Sequence, residues 1–132
     1  MEMRAAMVLG LGSDLIEINR IAESMERFGD RFLHRVFTEE EIAYCQRKKK
    51  HAAESFAARF AAKEAGAKAL GTGISRGIGW REIEVRRESG ERPTLHLSGR
   101  AAARAAAMGV RHIQLTLTHG RDVAMAVVLV ED

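Results

Sequence analysis

Apolar residues recur along this chain with two periods, and the changes between them mark out its elements. Val8-Leu9-Gly10-Leu11 begins a short apolar segment that runs to Ile18; it is interrupted by Gly10 and Gly12, carries Asp14 and Glu17, and reads as a strand. From Asn19 to Phe37 the period lengthens, with Ile21, Met25, Phe28, Phe32 and Val36 falling every three or four residues. That spacing predicts helix, with Asn19 as N-cap and a break or bend at Gly29. Thr38-Glu39-Glu40-Glu41 has the form of a capping box and opens a helix through Ile42, Tyr44 and Cys45. An alanine-rich helix then covers about Ala53 to Leu70 and runs into Gly71-Thr72-Gly73.

Beyond that glycine turn the period shortens again. Trp80 to Arg87 alternates, with Ile83 and Val85 on one face; after a turn at Glu88 to Pro93, Thr94-Leu95-His96-Leu97-Ser98 alternates back. The pair predicts a hairpin in which His96 points outward. A second alanine-rich helix follows Ser98-Gly99-Arg100 and stops near Met108, where Gly109 suits the C′ position. His112 to Thr118 alternates strictly, and Val123 to Val130 is a nearly continuous apolar strand. The tight connection His119-Gly120-Arg121-Asp122 joins them as a second hairpin. Helices mixed with antiparallel strands predict an α+β fold. The 132 residues, free of repeats and low-complexity linkers, predict one compact domain over 1–132.

Charge and composition narrow the partners. A net charge of +3 and a pI near 9.4 favour an acidic partner, whether nucleic acid, acidic protein or polyphosphate. An aromatic share of 5% leaves few stacking platforms for single-stranded nucleic acid, which tilts the reading away from that partner. No apolar run approaches the roughly 20 residues that span a bilayer, and the first residues lack a signal peptide's apolar core. The lone Cys45 cannot form an internal disulfide. Together these predict a cytoplasmic protein with no membrane partner.

The candidate chemistry centres on Arg59-Phe60-Ala61-Ala62-Lys63-Glu64-Ala65-Gly66-Ala67-Lys68 and the glycine turn after it. At about 100° per residue Glu64 lies only about 40° from Phe60, toward the buried edge of the helix. Glu64 and Lys68 stand one turn apart; the plain reading is an i,i+4 pair worth roughly 0.2–0.5 kcal/mol. The functional one is a site for a phosphate-bearing ligand beside a glycine turn. Asp14, just after the G-x-G, is either a strand-ending residue or a metal ligand. Arg20, Arg27, Arg31 and Arg35 form one basic stripe if their helix is continuous. Such a stripe is a solvated face or a docking surface for acidic groups. His119, at a strand end beside a turn, is either a turn residue or a ligand contact.

Three blocks taken together carry a resemblance. Gly10-Leu11-Gly12-Ser13-Asp14-Leu15-Ile16-Glu17-Ile18-Asn19-Arg20-Ile21, then Arg59 to Ala65 with Lys68 and Gly71-Thr72-Gly73, then Thr116-Leu117-Thr118-His119 resemble the signatures of the holo-[acyl-carrier-protein] synthases, the short bacterial type of 4′-phosphopantetheinyl transferase. Their order, spacing and the chain length agree over residues 7 to 131. The resemblance implies transfer of the phosphopantetheine arm from coenzyme A to a serine of apo acyl carrier protein, dependent on Mg2+ and releasing adenosine 3′,5′-bisphosphate. It implies Asp14 and Glu64 as metal ligands, Glu64, Lys68 and His119 as catalytic residues, and Lys63, Lys68, Gly71, Thr72, Gly73 and His119 against coenzyme A. It also implies a homotrimer with sites at subunit interfaces, and Arg20, Arg27, Arg31 and Arg35 facing the acidic carrier.

Two positions depart from that pattern: Thr116 stands where a serine is usual, and Gly120 where an acid or hydroxyl is expected. The base that takes the serine proton stays open, Glu64, a metal-bound hydroxide and another water being the options. Two rivals remain at this stage. A small basic module binding RNA or another polyanion accounts for the pI but gives Asp14 and Glu64 no role. A magnesium-dependent phosphoesterase would need water as its nucleophile.

Overall fold

The computed structural model describes residues 5–88 and 90–132; the first four residues and Ser89, which falls in the predicted turn, lie outside them. Ten elements follow one another: β1 (Val8–Glu17), α1 (Ile18–Phe28), α2 (Asp30–Val36), α3 (Glu39–Gln46), α4 (Ala52–Ala69), β2 (Ile83–Arg86), β3 (Thr94–Leu97), α5 (Gly99–Met108), β4 (His112–His119) and β5 (Val123–Glu131). Short 3₁₀ turns at Lys49–His51 and Trp80–Glu82 precede α4 and β2. All strand pairing is antiparallel, β2 with β3 and, in a second sheet, β1-β5-β4. The α+β class is as expected, and both predicted hairpins are present.

Local chemistry explains most boundaries. Thr38 accepts from the Glu41 amide while Glu41 reaches back to the Thr38 amide, the reciprocal box the sequence predicts. Gly109 ends α5 at φ 86°, a left-handed conformation that glycine adopts without penalty. Asn19 is not a cap. Strand β1 passes directly into α1, with Glu17 as the preceding residue, and the first amide of the helix, that of Ile18, donates to Asp122 O (2.8 Å) in the β4–β5 connection. A tertiary hydrogen bond thus does the work of a side-chain cap. Gly29, at φ 54°, ψ −133°, divides α1 from α2. The arginine stripe is therefore split over two helices, Arg20 and Arg27 on α1, Arg31 and Arg35 on α2.

Helix α4 runs through both hydrophobic clusters. Its Ala61, Ala62, Ala65 and Ala69 pack with Ala126, Val128 and Val130 of the sheet, while Phe56, Ala57 and Ala58 pack with Ile21, Leu33 and Ile42 of the first three helices and with Phe37 in the link after α2. A helix buried nearly all round needs small residues if strands are to come close, and alanine supplies them without disfavouring helix. The closest approach is at β1. A Cβ on Gly12 would collide with the Ala65 carbonyl oxygen and come within 2.7 Å of the Ala69 nitrogen; one on Gly10 would meet Ala69 O. These are backbone atoms of a buried helix and cannot swing aside. The G-x-G therefore marks a strand lying directly on helix backbone. Gly12→Ala should force β1 and α4 apart and cost about 1–3 kcal/mol, seen as a lower midpoint in chemical denaturation. An unchanged midpoint would show that the strand can lift at no cost.

Candidate active site

Because side chains alternate along a strand, Asp14 shares the face of Gly12 and points toward α4. There Lys68 Nζ donates to Asp14 Oδ1 (3.3 Å) and to the Ser13 carbonyl (3.0 Å). Asp14 and Glu64 line one cleft of about 410 Å³, together with Arg20, Ile21, Phe32 and Phe60. Burial raises the Glu64 carboxyl above its ordinary value, the Asp14 charge adds to the rise, and Lys68 opposes it. Two carboxylates held in one cleft so that one resists ionisation form a receptor for positive charge. Among the described residues no group of three or more His, Cys, Asp or Glu gathers as a metal cage. A pair of carboxylates beside space for phosphate and water fits magnesium, which seldom takes an all-protein cage.

A second and larger cavity, about 580 Å³, lies at the other end of α4. His119 at the end of β4 and Arg59 on α4 line it, with Tyr44, Lys48, His51, Glu54 and Arg87. Arg59 is only 4% exposed. Its Nη1 donates to Ser55 Oγ (3.0 Å), its guanidinium lies 4.1 Å from the centre of the Tyr44 ring, and its buried Nε has no partner. A buried N–H left without an acceptor is costly unless a ligand supplies one. Burial pushes the Tyr44 phenol up, but Arg59, Lys48 and Arg87 outweigh it and hold the group below its ordinary value. The field in this cavity is thus strongly positive, as an anion site requires.

The predicted residues divide between these places. Ala126 pairs with both Asp14 and Leu117, and Ala124 with both Ile16 and His119, so β5 lies between the two. His119 therefore stands about 10 Å across the sheet from Asp14 and about 7 Å along it, on the same face. Within one chain the carboxylate cleft and the histidine cavity are separate. Thr116 lies on the opposite face, so its extra methyl does not bear on His119. Arg20 belongs to the carboxylate cleft, while Arg31 and Arg35 line a groove of about 270 Å³ with Ser24, Phe28 and Phe32. Arg27 sits over the Phe28 ring at 5.2 Å.

Lys63 corrects the sequence reading that put it against coenzyme A. One 100° step from Glu64 turns it to the other side of α4, where it is fully buried. Its three N–H bonds are all used, by Glu41 Oε1 (2.7 Å), Trp80 O (3.0 Å) and Ile83 O (2.6 Å). No donor remains for a phosphate. The Gly71-Thr72-Gly73 turn lines neither cleft; the Thr72 and Gly73 amides both donate to Ala67 O (3.1 Å), and Arg104 Nε donates to Leu70 O (2.9 Å). Gly71 and Gly73 hold φ 77° and 65°, which is why glycine stands there.

Sequence reasoning quoted Arg59 only as part of its block and gave no role in a ligand cavity to Arg59, Lys48, Tyr44 or Arg87. Lys48 and His51 sit in a basic run that suggests a solvated helix end. Yet Tyr44 to Lys48 is one helical turn, and both precede the helix that carries Arg59, a local signal that these groups converge.

A family model described as the 4′-phosphopantetheinyl transferase superfamily matches residues 10–128. The holo-[acyl-carrier-protein] synthase of Koribacter versatilis is 52% identical over 126 residues, which cover 96% of this chain and 100% of that protein. Among solved structures, holo-[acyl-carrier-protein] synthase from Neisseria meningitidis superposes with a TM-score of 0.86 at 30% identity, covering 96% of this chain and 100% of that one. The Helicobacter pylori enzyme, in complex with coenzyme A, gives 0.79 at 30% identity, covering 91% and 98%.

Proposed function

The chain belongs to the 4′-phosphopantetheinyl transferase superfamily, and we propose from it that the protein is a holo-[acyl-carrier-protein] synthase moving 4′-phosphopantetheine from coenzyme A to a serine of apo acyl carrier protein. The observation that carries this reading is the pair of sites on one helix: two carboxylates at Asp14 and Glu64, and a strongly basic cavity at Arg59 and His119. Coenzyme A is a polyanion with a pyrophosphate and a 3′-phosphate, so it needs both a cation at the reacting phosphorus and basic groups along the nucleotide. An RNA-binding module would leave the carboxylates without use.

In this reading Asp14 and Glu64 hold Mg2+, with Lys68 fixing the Asp14 carboxylate and facing the phosphate. Magnesium, when bound, supplies positive charge to the pyrophosphate as the transition state spreads charge over its oxygens. The serine oxygen attacks the β-phosphorus, the bond to the bridging oxygen breaks, and adenosine 3′,5′-bisphosphate leaves. Arg59, Lys48 and His119 hold the nucleotide phosphates, the unpartnered Nε of Arg59 gaining an acceptor. Gly71-Thr72-Gly73 lies at the far end of α4 from this cavity, so in this reading it walls a nucleotide held by the cavity of a neighbouring subunit. Glu64 remains the candidate base on this chain.

A trimer with sites between subunits fits two observations. The carboxylate cleft and the His119 cavity do not meet within one chain. The sheet face away from α4 is also bare, with Leu11 63% and Leu15 64% exposed beside Met125, Val127 and Leu129. Sedimentation equilibrium should give three times the chain mass, and Leu15→Lys should give the mass of one chain; a monomeric native protein would end this reading. Arg27, Arg31 and Arg35, with Phe28 and Phe32 between them, present charge and apolar surface suited to an acidic carrier helix. No described helix is long and apolar enough to cross a membrane. We place the protein in the cytoplasm, in fatty acid biosynthesis, as one domain.

The decisive experiment incubates the protein with coenzyme A, Mg2+ and apo acyl carrier protein and weighs the carrier by mass spectrometry. The carrier should gain one phosphopantetheine. In the same assay Arg31→Glu should raise the KM for carrier with little change in kcat. No mass gain across several carriers would sink the transferase reading, and an unchanged KM would leave Arg31 as plain surface.

A further inference from the structure

A carboxylate in the wall of a phosphate cavity works against binding by simple electrostatics, and Glu54 is such a group. It stands in the first turn of α4, with its side chain 33% exposed, and lines the cavity with Lys48, Arg59, Arg87 and the Tyr44 hydroxyl. Its two oxygens face two imidazoles: Oε1 lies 3.5 Å from His51 Nδ1, and Oε2 lies 3.8 Å from His119 Nδ1. Both contacts are to the same ring nitrogen. The usual use of an acid in a first turn is to complement the helix dipole, and that use gives no reason to bridge histidines from two different elements.

We propose that Glu54 is a positioning residue that holds His51 and His119 by their Nδ1 atoms, so that both rings present Nε2 to the phosphate bound in the cavity. This rests on the reading of the cavity as the nucleotide-phosphate site. An imidazole with Nδ1–H turned to a carboxylate has its tautomer and ring plane set by that contact, and the opposite nitrogen is the one left to meet a ligand. His51 belongs to the turn before α4 and His119 to the end of β4, so a single carboxylate ties the sheet edge to the helix start. The groups that face this pair are Lys48 and Tyr44 from α3 and the turn after it, Arg59 from α4, and Arg87 from the segment after β2. All but Glu54 favour an anion.

The test has a sign. If Glu54 is only a wall charge, Glu54→Gln removes a repulsion and tightens binding. If it positions the histidines, the same substitution weakens binding, by about tenfold, the low end of what losing an orienting partner costs where the imidazole ligates a metal. Calorimetric titration of the whole protein with adenosine 3′,5′-bisphosphate measures this. In a His51→Gln/His119→Gln background the substitution should have no weakening effect, because Glu54 then has nothing to orient. Nitrogen NMR of the native protein at alkaline pH should show both imidazoles as the Nδ1–H tautomer. Equal or tighter binding by Glu54→Gln, or the Nε2–H tautomer at both rings, overturns the proposal. Arg59→Gln separates it from the reading beneath it. If native protein and Arg59→Gln bind the bisphosphate equally, the cavity itself has been misread; if only Glu54→Gln behaves against expectation, the cavity stands and the positioning role falls.

Discussion

Glu41→Ala is expected to cost about 3–5 kcal/mol of folding free energy, the range for stranding one member of a buried ion pair. Glu41 and Lys63 are both fully buried, 2.7 Å apart. Glu41 also accepts from the Thr38 amide (2.9 Å) and, through Oε2, from the Val85 amide (2.9 Å). One carboxylate thereby joins the start of α3, the middle of α4 and strand β2. Alanine would strip the buried ammonium of its counter-charge, leaving it only the Trp80 and Ile83 carbonyls, and would leave the Thr38 and Val85 amides without their acceptor. Burial lowers the Lys63 pKa from its ordinary 10.5, against the opposing effect of Glu41. Without Glu41 it falls further, and the sign of the pH dependence follows. A base held more weakly protonated in the fold than in the unfolded chain makes stability rise with pH, from its folded pKa up to about 10.5. The variant should therefore recover part of its loss in alkaline buffer. Lys63→Met in the same background should cost less than the two single losses added, because the second change removes the stranded charge. Equilibrium denaturation at two pH values checks both points, and simple additivity would mean the pair is not coupled.

That pair also shows what a sequence can and cannot reveal. The capping box Thr38-x-x-Glu41 was legible because its chemistry is local, three residues apart on one helix. The partner of Glu41 lies on another helix, and nothing in periodicity says which lysine it meets. Lys63 next to Glu64 looks like part of one charged cluster in one dimension; the 100° turn per residue sends the two to opposite sides of α4. The strands and hairpins were legible from alternation, but the order β1-β5-β4 was not, since pairing of the first strand with the last is set by which apolar faces remain uncovered. Asp14 and Glu64 were linked by the family resemblance of their blocks, and they do line one cleft. The basic cavity was missed, because Tyr44, Lys48, Arg59 and Arg87 come from three separate segments and only Arg59 falls in a motif, where it was given no role. Asn19 shows the reverse error: a good cap residue is not a cap when a strand enters the helix directly and a distant carbonyl takes the first amide.

Glu64→Gln should move activity and stability in opposite directions. Glutamine keeps the shape and one oxygen but removes the charge that, in the proposed metal site, joins Asp14 in holding magnesium. If the metal supplies about 3–4 kcal/mol of transition-state stabilisation, kcat/KM should fall by about 10²–10³-fold. Asp14→Asn should do the same, and the double variant should be little worse than either, since one carboxylate alone cannot hold the ion in place. Stability without metal should change the other way. Burial, with Asp14 adding to it, raises the Glu64 pKa above its ordinary 4.5. An acid whose folded pKa is raised binds its proton more tightly in the fold, so stability is highest below about 4.5 and is lost as pH rises through the folded value. At neutral pH in chelator, Glu64→Gln escapes that loss and should melt at a higher temperature than the native protein. In acid, where Glu64 is protonated in both states, the difference should shrink. Adding magnesium at neutral pH should reverse the order by stabilising only the chain that binds it. A carboxylate that weakens the fold until a cation arrives is what a metal site requires. If Glu64→Gln melts below the native protein in chelator at neutral pH, Glu64 is an ordinary structural acid.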